Sequence, residues 1–374
     1  MNDNTIESID MPDNRYCVIM AGGAANHFWP ISRESRPKQF LDIYDSGKSL
    51  FRMTYERFLE IVPQENIMVI TLDRFGELVR EQIPELPEGN LLLEPYSRNT
   101  APCIAYSTLA ILKRNPDAVI VATPADHIIK DEESFRSTVE EAMDYAMRYN
   151  ALMTLGIPPT KPETSYGYIQ VSGGKAAAQS DKPVKVKTFT EKPDKNLAEV
   201  FFKSGEFFWN SGIFAWKASV IFAEMEKYIP DVISLFAGWE DAIGSPAERP
   251  FLQKAYADCP KISIDYGVME KTDLAWLYRG DFGWYDIDTW ESLFGAFKLK
   301  DQDGNASNTD NKLFKEDRDN LVITGNKKKI YAIKGLSDYL VIDTSDALLI
   351  CPRDDKQFQD FISGLGMPGF EDFR

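Results

Sequence analysis

Short apolar runs alternate with amphipathic stretches through the first half of this 374-residue sequence, and that alternation limits the folds open to it. The runs have the length and composition of buried strands, and they are Tyr16–Met20, Ile67–Leu72, Asn90–Leu93, Ala118–Ala122 and Ala151–Gly156. Repeated strand–helix units with nearly continuous apolar strands are typical of parallel sheets that helices cover on both faces. The sequence therefore predicts an α/β fold with a Rossmann-like domain on a mixed, mainly parallel sheet.

The amphipathic stretches between these runs carry apolar residues at helical spacing. One helix is predicted to begin after Ser49, an N-cap residue, with an apolar stripe of Phe51, Tyr55, Phe58, Leu59 and Val62. A second stripe consists of Phe135, Val139, Ala142, Met143, Ala146 and Met147. We predict that both stripes face the core.

The second half of the sequence changes character. Val184, Val186 and Thr188 alternate with lysines, as in an antiparallel strand with one face in water. Residues 301–312 are rich in Asn, Asp, Gly and Ser, which predicts a linker between a first domain at 14–300 and a small C-terminal β domain at 313–374. Several aromatic residues could form a core layer or, with the C-terminal unit, a homodimer interface: Trp209, Phe214, Trp216, Trp284 and Trp290.

The overall charge and the cysteines restrict the partners and the compartment. A formal net charge of −16 argues against nucleic acid or an anionic membrane surface as the main partner. No apolar run approaches the roughly 18 residues of a membrane span, and residues 1–14 lack the features of a signal peptide. The scattered cysteines, Cys17, Cys103, Cys259 and Cys351, suggest neither a disulfide framework nor a zinc site. A cytoplasmic protein is the expectation.

The segment after the first predicted strand combines glycines with cations. Gly22 and Gly23 have no Cβ, so their backbone N–H groups can approach an anion closely. Arg33, Arg36 and Lys38 would then neutralise its charge. The spacing matches neither the P-loop nor the dinucleotide-binding fingerprint. The segment is therefore interpreted as a phosphate site, with a structural turn and a solvated loop as the alternative.

Two aspartates follow apolar segments that are far apart in the sequence. Asp126 comes just after the run Ala118–Ala122, and Asp286 lies in the segment GWYDIDTW. Ligands of parallel sheets bind at the carboxyl ends of the strands, and Mg²⁺ usually takes one or two protein carboxylates there. A magnesium site is predicted, although a capping or surface role is the alternative for each aspartate. The polar stretch EPYSRNTAP at 94–102 could contact a base or begin a helix.

Together these segments resemble the bacterial mannose-1-phosphate guanylyltransferases, also called GDP-mannose pyrophosphorylases. The resemblance is carried by FWPISRESRPKQF, EPYSRNTAP, TPADH, TSYGYIQ, FTEKP, WNSGIF, SIDYGVME and WYDIDTW, in this order. The tail resembles the small β unit of the shorter members, with no isomerase domain after it. The resemblance implies Mg²⁺-dependent transfer of a guanylyl group from GTP to mannose 1-phosphate, which yields pyrophosphate and serves GDP-mannose biosynthesis.

The resemblance also implies roles for individual residues. Asp126 and Asp286 would bind the metal, and the catalytic residues would be Lys38, His27 and Asp126. The nucleotide side would consist of Gly22, Gly23, Arg33, Arg98, Asn99, Thr100 and Asp126. The sugar-phosphate side would consist of Gly167, Glu191, Lys192, Asn210 and Asp265.

Three positions depart from the family pattern. Ala25 stands where a glycine is expected, His27 where a phosphate-binding arginine is expected, and Asp288 where a glycine is expected. Histidine is shorter than arginine and offers no bidentate fork. Three interpretations follow: an active enzyme with His27 as a weaker phosphate donor, a nucleotidylyltransferase for another sugar phosphate or base, or a non-catalytic relative that binds these ligands and regulates a partner.

Overall fold

The computed structural model describes residues 14–23, 28–190, 192–297, 300–354 and 357–373. Its strands, numbered in chain order, are β1 (Arg15–Met20), β2 (Ile67–Leu72), β3 (Leu91–Glu94), β4 (Val119–Pro124), β5 (His127–Ile129), β6 (Leu152–Ile157), β7 (Tyr168–Val171), β8 (Val184–Thr190), β9 (Phe207–Lys217), β10 (Ala275–Arg279), β11 (Trp284–Asp286), β12 (Ala306–Ser307), β13 (Lys312–Lys315), β14 (Leu321–Thr324), β15 (Tyr331–Lys334), β16 (Tyr339–Asp343) and β17 (Leu348–Pro352).

The α-helices are concentrated in the first 300 residues. They are α1 (Leu50–Leu59), α2 (Gly76–Gln82), α3 (Thr100–Arg114), α4 (Glu132–Tyr149), α5 (Gly174–Ala178), α6 (Lys195–Ser204), α7 (Ala218–Tyr228), α8 (Pro230–Ile233), α9 (Trp239–Ala242), α10 (Glu248–Ala257), α11 (Trp290–Ala296) and α12 (Phe358–Ser363). In the described part of the chain, each helix is too short or too polar to cross a bilayer.

A nine-stranded sheet organises the first 300 residues, in the order β3-β2-β1-β4-β9-β6-β10-β8-β7. Strands β1 to β4 are parallel, so their carboxyl ends lie along one edge. Strand β9 runs antiparallel to β4 and β6, and β8 runs antiparallel to β7 and β10. The predicted mixed α/β sheet is confirmed, with parallel pairs among β1 to β4 and between β6 and β10.

Two apolar cores cover the two faces of this sheet, as the apolar strands predict. The Ser49 hydroxyl accepts a hydrogen bond from Arg52 N, so the predicted N-cap of α1 is confirmed. The apolar stripe of α4 is buried except at Met147, which is 40% exposed in the last turn beside Asn14. The prediction was wrong for that residue. The aromatic layer is core: its five members are at most 6% exposed.

The C-terminal β unit, residues 300–373, contains a four-stranded sheet in the order β12-β14-β16-β17 and the pair β13–β15. The segment predicted as a linker contributes to this unit, because Ala306 and Ser307 form β12 and pair with β14. The Asn305 side chain donates to Asp301 and accepts from Asn320 Nδ2 at 3.0 Å, which fixes the segment locally. The segment predicted as a linker therefore contains β12, and its last residue, Lys312, begins β13.

The C-terminal β unit shares a third apolar core with the first domain. Phe28, Ile128 and Ile287 contribute from the first domain, and residues of β14, β16, β17 and α12 contribute from the other side. Ile128 follows Asp126 by two residues, and Ile287 directly follows Asp286. The unit therefore packs directly beneath the segments that carry the predicted site.

Candidate active site

Lys38 is the centre of the site and is only 4% exposed. It begins a short 3₁₀ helix, Lys38–Phe40, that follows Pro37. Phe40 anchors this helix, since its ring packs edge-on against Phe51 at 5.4 Å and lies 5.9 Å from Phe75. The backbone at Lys38 is thus fixed by core packing one turn away.

Strands β5 and β11 form a two-stranded antiparallel ribbon that brings the two predicted metal ligands together. Asp286 lies opposite His127 in the register of this ribbon, and Asp126 immediately precedes His127. Directly opposed residues in an antiparallel pair project on the same side. The ribbon therefore joins segments 160 positions apart, as measured between Asp126 and Asp286.

Lys38 Nζ contacts two carboxylates and a backbone carbonyl. It lies 2.9 Å from Asp126 Oδ2, donates to Ile287 O at 2.7 Å and forms a salt bridge with Asp288. Burial alone would lower the pKa of Lys38, but Asp126, Asp286 and Asp288 together raise it above its ordinary value. The lysine is therefore a fixed positive charge among three carboxylates, which we call the carboxylate cluster.

Burial shifts the pKa values of Asp286 and His127 in opposite directions. Burial, and then the charge of Asp288, raises the pKa of the Asp286 carboxyl well above its ordinary value. Burial lowers the pKa of His127 to about 4, so its imidazole is neutral at pH 7. His127 Nδ1 is buried and has no hydrogen-bond partner among the described residues. The site thus combines crowded negative charge with an available ring nitrogen.

One set of donor atoms in this site could hold a metal ion. Asp126, His127 and Asp286 each present one such atom within 4.8 Å of the others. When all three carboxylates are ionised, their charge exceeds that of the single ammonium, and a divalent cation would balance the excess. His127 was not among the predicted metal ligands, since its only signal in the sequence was its position next to Asp126 in TPADH.

Gly22 and Gly23 follow β1 at the carboxyl edge of the parallel strands. A Cβ on Gly22 would lie 3.6 Å from Glu94 Oε2, and one on Gly23 would lie 4.0 Å from Gln39 Oε1. Glu94 and Gln39 are both at most 5% exposed, and Gln39 Nε2 donates to Ala21 O at 2.9 Å. These two side chains support the glycine segment from behind. Neither Glu94 nor Gln39 was predicted as a site residue, because a single polar residue beside an apolar run carries little signal.

The predicted nucleotide loop is docked on residues 256–264. Arg98 donates to Tyr256 O at 2.9 Å and to Ala257 O at 2.7 Å. Asn99 has φ of 69° and caps α3, while Thr100 Oγ1 accepts from Ile264 N at 2.9 Å. This loop lies at the carboxyl ends of β2 and β3, beside a surface pocket that Tyr96 and Arg98 line.

The predicted sugar-phosphate residues are partly brought together. Asn210 N donates to Gly167 O at 2.9 Å, and Asn210 Nδ2 donates to Asp265 Oδ1 at 2.7 Å. Asp265 begins a single turn of π-helix, Asp265–Met269. Lys192 is exposed, and Glu191 lies outside the described residues. Three of the five predicted residues therefore form one cluster.

Arg33 and His27 were also predicted to contact the substrates. The Arg33 guanidinium pairs with Asp346 of the C-terminal β unit and does not contact the carboxylate cluster, so its nucleotide contact stays a prediction. His27, with Ala25, lies outside the described residues. A cleft of about 580 Å³ adjoins Asp288 and is lined by Tyr166, Trp284 and Arg353, among others.

Glu94 gives the protein a pH-dependent stability term. Burial raises the pKa of the Glu94 carboxyl to about 8, and the hydrogen bond from Tyr256 opposes this rise. The folded protein therefore keeps a proton that the unfolded chain releases near pH 4.5, its ordinary pKa. Glu94 therefore leaves the free energy of unfolding unchanged below that pH, and it lowers this free energy as the pH rises towards about 8.

We expect Glu94→Gln to remove most of this loss, because a glutamine cannot ionise. Urea unfolding at about pH 5 and about pH 8 measures it, and the difference between the two free energies should shrink. The matched control is Glu88→Gln, at an exposed position just before β3. An unchanged difference in Glu94→Gln would show that the carboxyl titrates normally.

Comparisons with known proteins show the class of protein to which the chain belongs. The nucleotidyl transferase family model matches residues 16–303, and the model of the MannoseP isomerase/GMP-like beta-helix domain matches residues 315–358. The chain is thus a transferase of the nucleotidyl transferase fold.

Relatives that align over most of the chain identify its family within this class. The chain is 36% identical to the mannose-1-phosphate guanylyltransferase of Salmonella montevideo over 92% of its length and 73% of that protein. It is 35% identical to the Klebsiella pneumoniae enzyme of the same name over 91% and 71%. The crystal structure of mannose-1-phosphate geranyltransferase from Thermus thermophilus superposes with a TM-score of 0.83 at 29% identity, covering 95% and 100%. The chain belongs to the mannose-1-phosphate guanylyltransferase family.

Proposed function

We propose that the chain transfers a guanylyl group from GTP to mannose 1-phosphate, with release of pyrophosphate and formation of GDP-mannose. The observation that carries this proposal is the contact of buried Lys38 with Asp126 and Asp288, next to Gln39, whose side chain lies against Gly23. Relatives named mannose-1-phosphate guanylyltransferase support guanine and mannose as the base and the sugar.

The reaction is a displacement at phosphorus. A phosphate oxygen of the sugar phosphate attacks the α-phosphorus of GTP, and the bond from that phosphorus to the α–β bridging oxygen breaks. Pyrophosphate leaves with the electron pair of that bond. Such a step needs alignment and charge neutralisation rather than a covalent intermediate. The Lys38 ammonium, fixed by three acceptors, supplies positive charge at a defined point.

We propose Mg²⁺ as the divalent cation and Asp126 and Asp286 as its protein ligands. When bound, the ion would neutralise phosphate charge and polarise the reacting phosphoryl group. The excess negative charge of the carboxylate cluster supports this choice, and carboxylate oxygens are the ligands that Mg²⁺ prefers. Asp288 would then hold Lys38, which leaves the other two carboxylates to the ion.

The two substrates would occupy opposite sides of this cluster. We place the nucleotide near Gly22, Gly23 and the Arg98–Thr100 loop, and the sugar phosphate near Gly167, Asn210 and Asp265. A cleft of about 580 Å³ beside Asp288 is within the usual size of small-molecule sites. The four cysteines are free, which fits the cytoplasm. The homodimer stays a prediction that light scattering can test.

The experiment that tests the proposal is pyrophosphate release in the presence of Mg²⁺. GTP with mannose 1-phosphate is compared with ATP, with UTP and with other sugar 1-phosphates. Release that requires both GTP and mannose 1-phosphate is the expected result. Release with another pair would redirect the substrates, and no release from folded protein that binds GTP would support the regulatory alternative.

His27→Arg is expected to raise the turnover, because arginine restores a permanent charge and a bidentate donor. The gain should be largest above about pH 7, where an ordinary histidine is increasingly neutral. Rate measurements at several pH values, with Ala25→Gly as the companion variant, check this prediction. An unchanged or lower rate would mean that His27 does not replace the arginine.

A further inference from the structure

Arg33 belongs to the segment that leads to Lys38, yet the C-terminal β unit holds its side chain. Arg33 Nη2 donates to both carboxylate oxygens of Asp346, at 3.1 and 3.0 Å. The guanidinium also lies 5.6 Å from the ring centroid of Trp29. The Arg33 side chain is only 16% exposed, whereas the Asp346 side chain is 44% exposed, so the protein covers the arginine while its partner faces water.

Asp346 sits in a turn that its neighbours fix. The turn joins β16 to β17, and Thr344 N donates to Ala347 O at 2.9 Å across it. The Thr344 hydroxyl donates to Asp346 Oδ1 at 2.8 Å and accepts from Ala347 N at 3.0 Å. The Asp346 carboxylate is therefore pre-positioned at the tip of a hairpin.

The backbone between Arg33 and Lys38 is short and constrained. Arg33 and Arg36 exchange both backbone hydrogen bonds, at 3.2 and 3.0 Å, which closes a tight loop. Pro37 then fixes one backbone dihedral angle directly before Lys38. A displacement of Arg33 would therefore also displace Lys38, because the backbone between them has little conformational freedom.

A second contact of the C-terminal β unit holds the helix that follows Asp286 and Asp288. Helix α11 begins just after Asp288, with Thr289 as its N-cap. Arg353, which follows β17, forms a salt bridge with Glu291 of this helix, and its guanidinium lies 3.8 Å from the ring centroid of Phe294. The Arg353 side chain is 11% exposed and also contacts Asp338 at 3.2 Å.

From these contacts we infer that the C-terminal β unit positions Lys38 against the carboxylate cluster, with Asp346 and Arg353 as the positioning residues. Asp346 holds the loop that ends at Lys38, and Arg353 holds the helix that follows Asp286 and Asp288. The shared apolar core with Ile128 and Ile287 completes this support. The inference rests on the proposed function, since alignment dominates a displacement at phosphorus.

Asp346→Asn tests the inference, because it keeps one acceptor and removes the charge. The expected result is a fall in kcat of about 10-fold with KM values changed by less than about twofold, because binding groups stay and alignment is lost. Asp346→Glu retains the carboxylate and is expected to recover part of the rate. A thermal melt confirms that each variant is folded.

The matched control is Asp45→Asn. Asp45 also forms an ion pair with the C-terminal β unit, to Lys327 at 2.6 Å, but it lies outside the loop from Arg33 to Lys38. Its removal should leave kcat unchanged. A loss of kcat in both variants would show a general weakening of the domain contact and would overturn the specific role of Asp346.

Hydrogen–deuterium exchange separates this inference from the proposed function, since it needs no substrate. In Asp346→Asn the peptide at 31–41 should exchange faster, while in Asp45→Asn it should exchange as in the unaltered protein. Unchanged exchange in Asp346→Asn would overturn the inference even if the enzyme is active. Faster exchange in a protein that transfers no nucleotide would instead contradict only the proposed reaction.

Discussion

Lys38→Met is expected to lower the rate of guanylyl transfer by about 10²- to 10³-fold, the usual effect of removing one well-placed donor to developing charge. Methionine keeps much of the aliphatic stem, but it removes the ammonium that contacts Asp126 and Asp288. The loss should fall on kcat, because the positive charge acts on the reacting phosphoryl group. Steady-state rates of pyrophosphate release measure it.

The same substitution should also change how the protein responds to metal. Without Lys38, the carboxylates Asp126, Asp286 and Asp288 repel one another in a partly buried site, so the melting temperature should fall in metal-free buffer. Added Mg²⁺ should restore more of it than in the unaltered protein. Lys48→Met removes an exposed lysine and serves as the control. A rate within about threefold of the unaltered enzyme would exclude Lys38 from catalysis.

Local patterns in the sequence were enough to predict much of the fold. The strand bounds of β1 and β2 were predicted within one residue, and Ser49 caps α1 as expected. These features depend on side-chain period and on capping within one turn. The linker at 301–312 was a composition-based prediction, and composition could not reveal that Ala306 and Ser307 pair with β14 or that the side chains of Asn305 and Asn320 are hydrogen-bonded.

The candidate site was predictable only in part, because its geometry depends on contacts between distant segments. Asp126 and Asp286 could be selected from their positions at strand ends, but the ribbon that joins them pairs His127 with Asp286. Arg33 could not be placed from its sequence neighbours, since its partner Asp346 lies 313 positions away. Such pairings depend on tertiary packing, for which a single sequence carries no local signal.

Asp288 illustrates the same limit at a single residue. It lies two residues after Asp286, and its charge helps to raise the pKa of the Asp286 carboxyl. Its salt bridge with Lys38 could not be read from the sequence. This extra carboxylate, at a position where the family pattern has glycine, gives Lys38 a second anionic partner besides Asp126.

Asp126→Asn is expected to abolish Mg²⁺-dependent turnover and to weaken metal binding, since an amide oxygen carries no charge and asparagine cannot compensate for the ion. Asp126 also contacts Lys38 at 2.9 Å, so the rate alone would not separate the two roles. Direct binding of Mn²⁺, followed by electron paramagnetic resonance, isolates the metal role. The affinity for Mn²⁺ should fall by at least about 10-fold.

The control for this substitution is Asp281→Asn, which removes an exposed carboxylate a few residues before Asp286 without touching the cluster. It should bind Mn²⁺ as the unaltered protein does. If Asp126→Asn lost turnover but kept its Mn²⁺ affinity, Asp126 would act by holding Lys38 rather than the metal. If both turnover and Mn²⁺ affinity were unchanged, the assignment of Asp126 to the site would be wrong, and the excess negative charge around Lys38 would need another explanation.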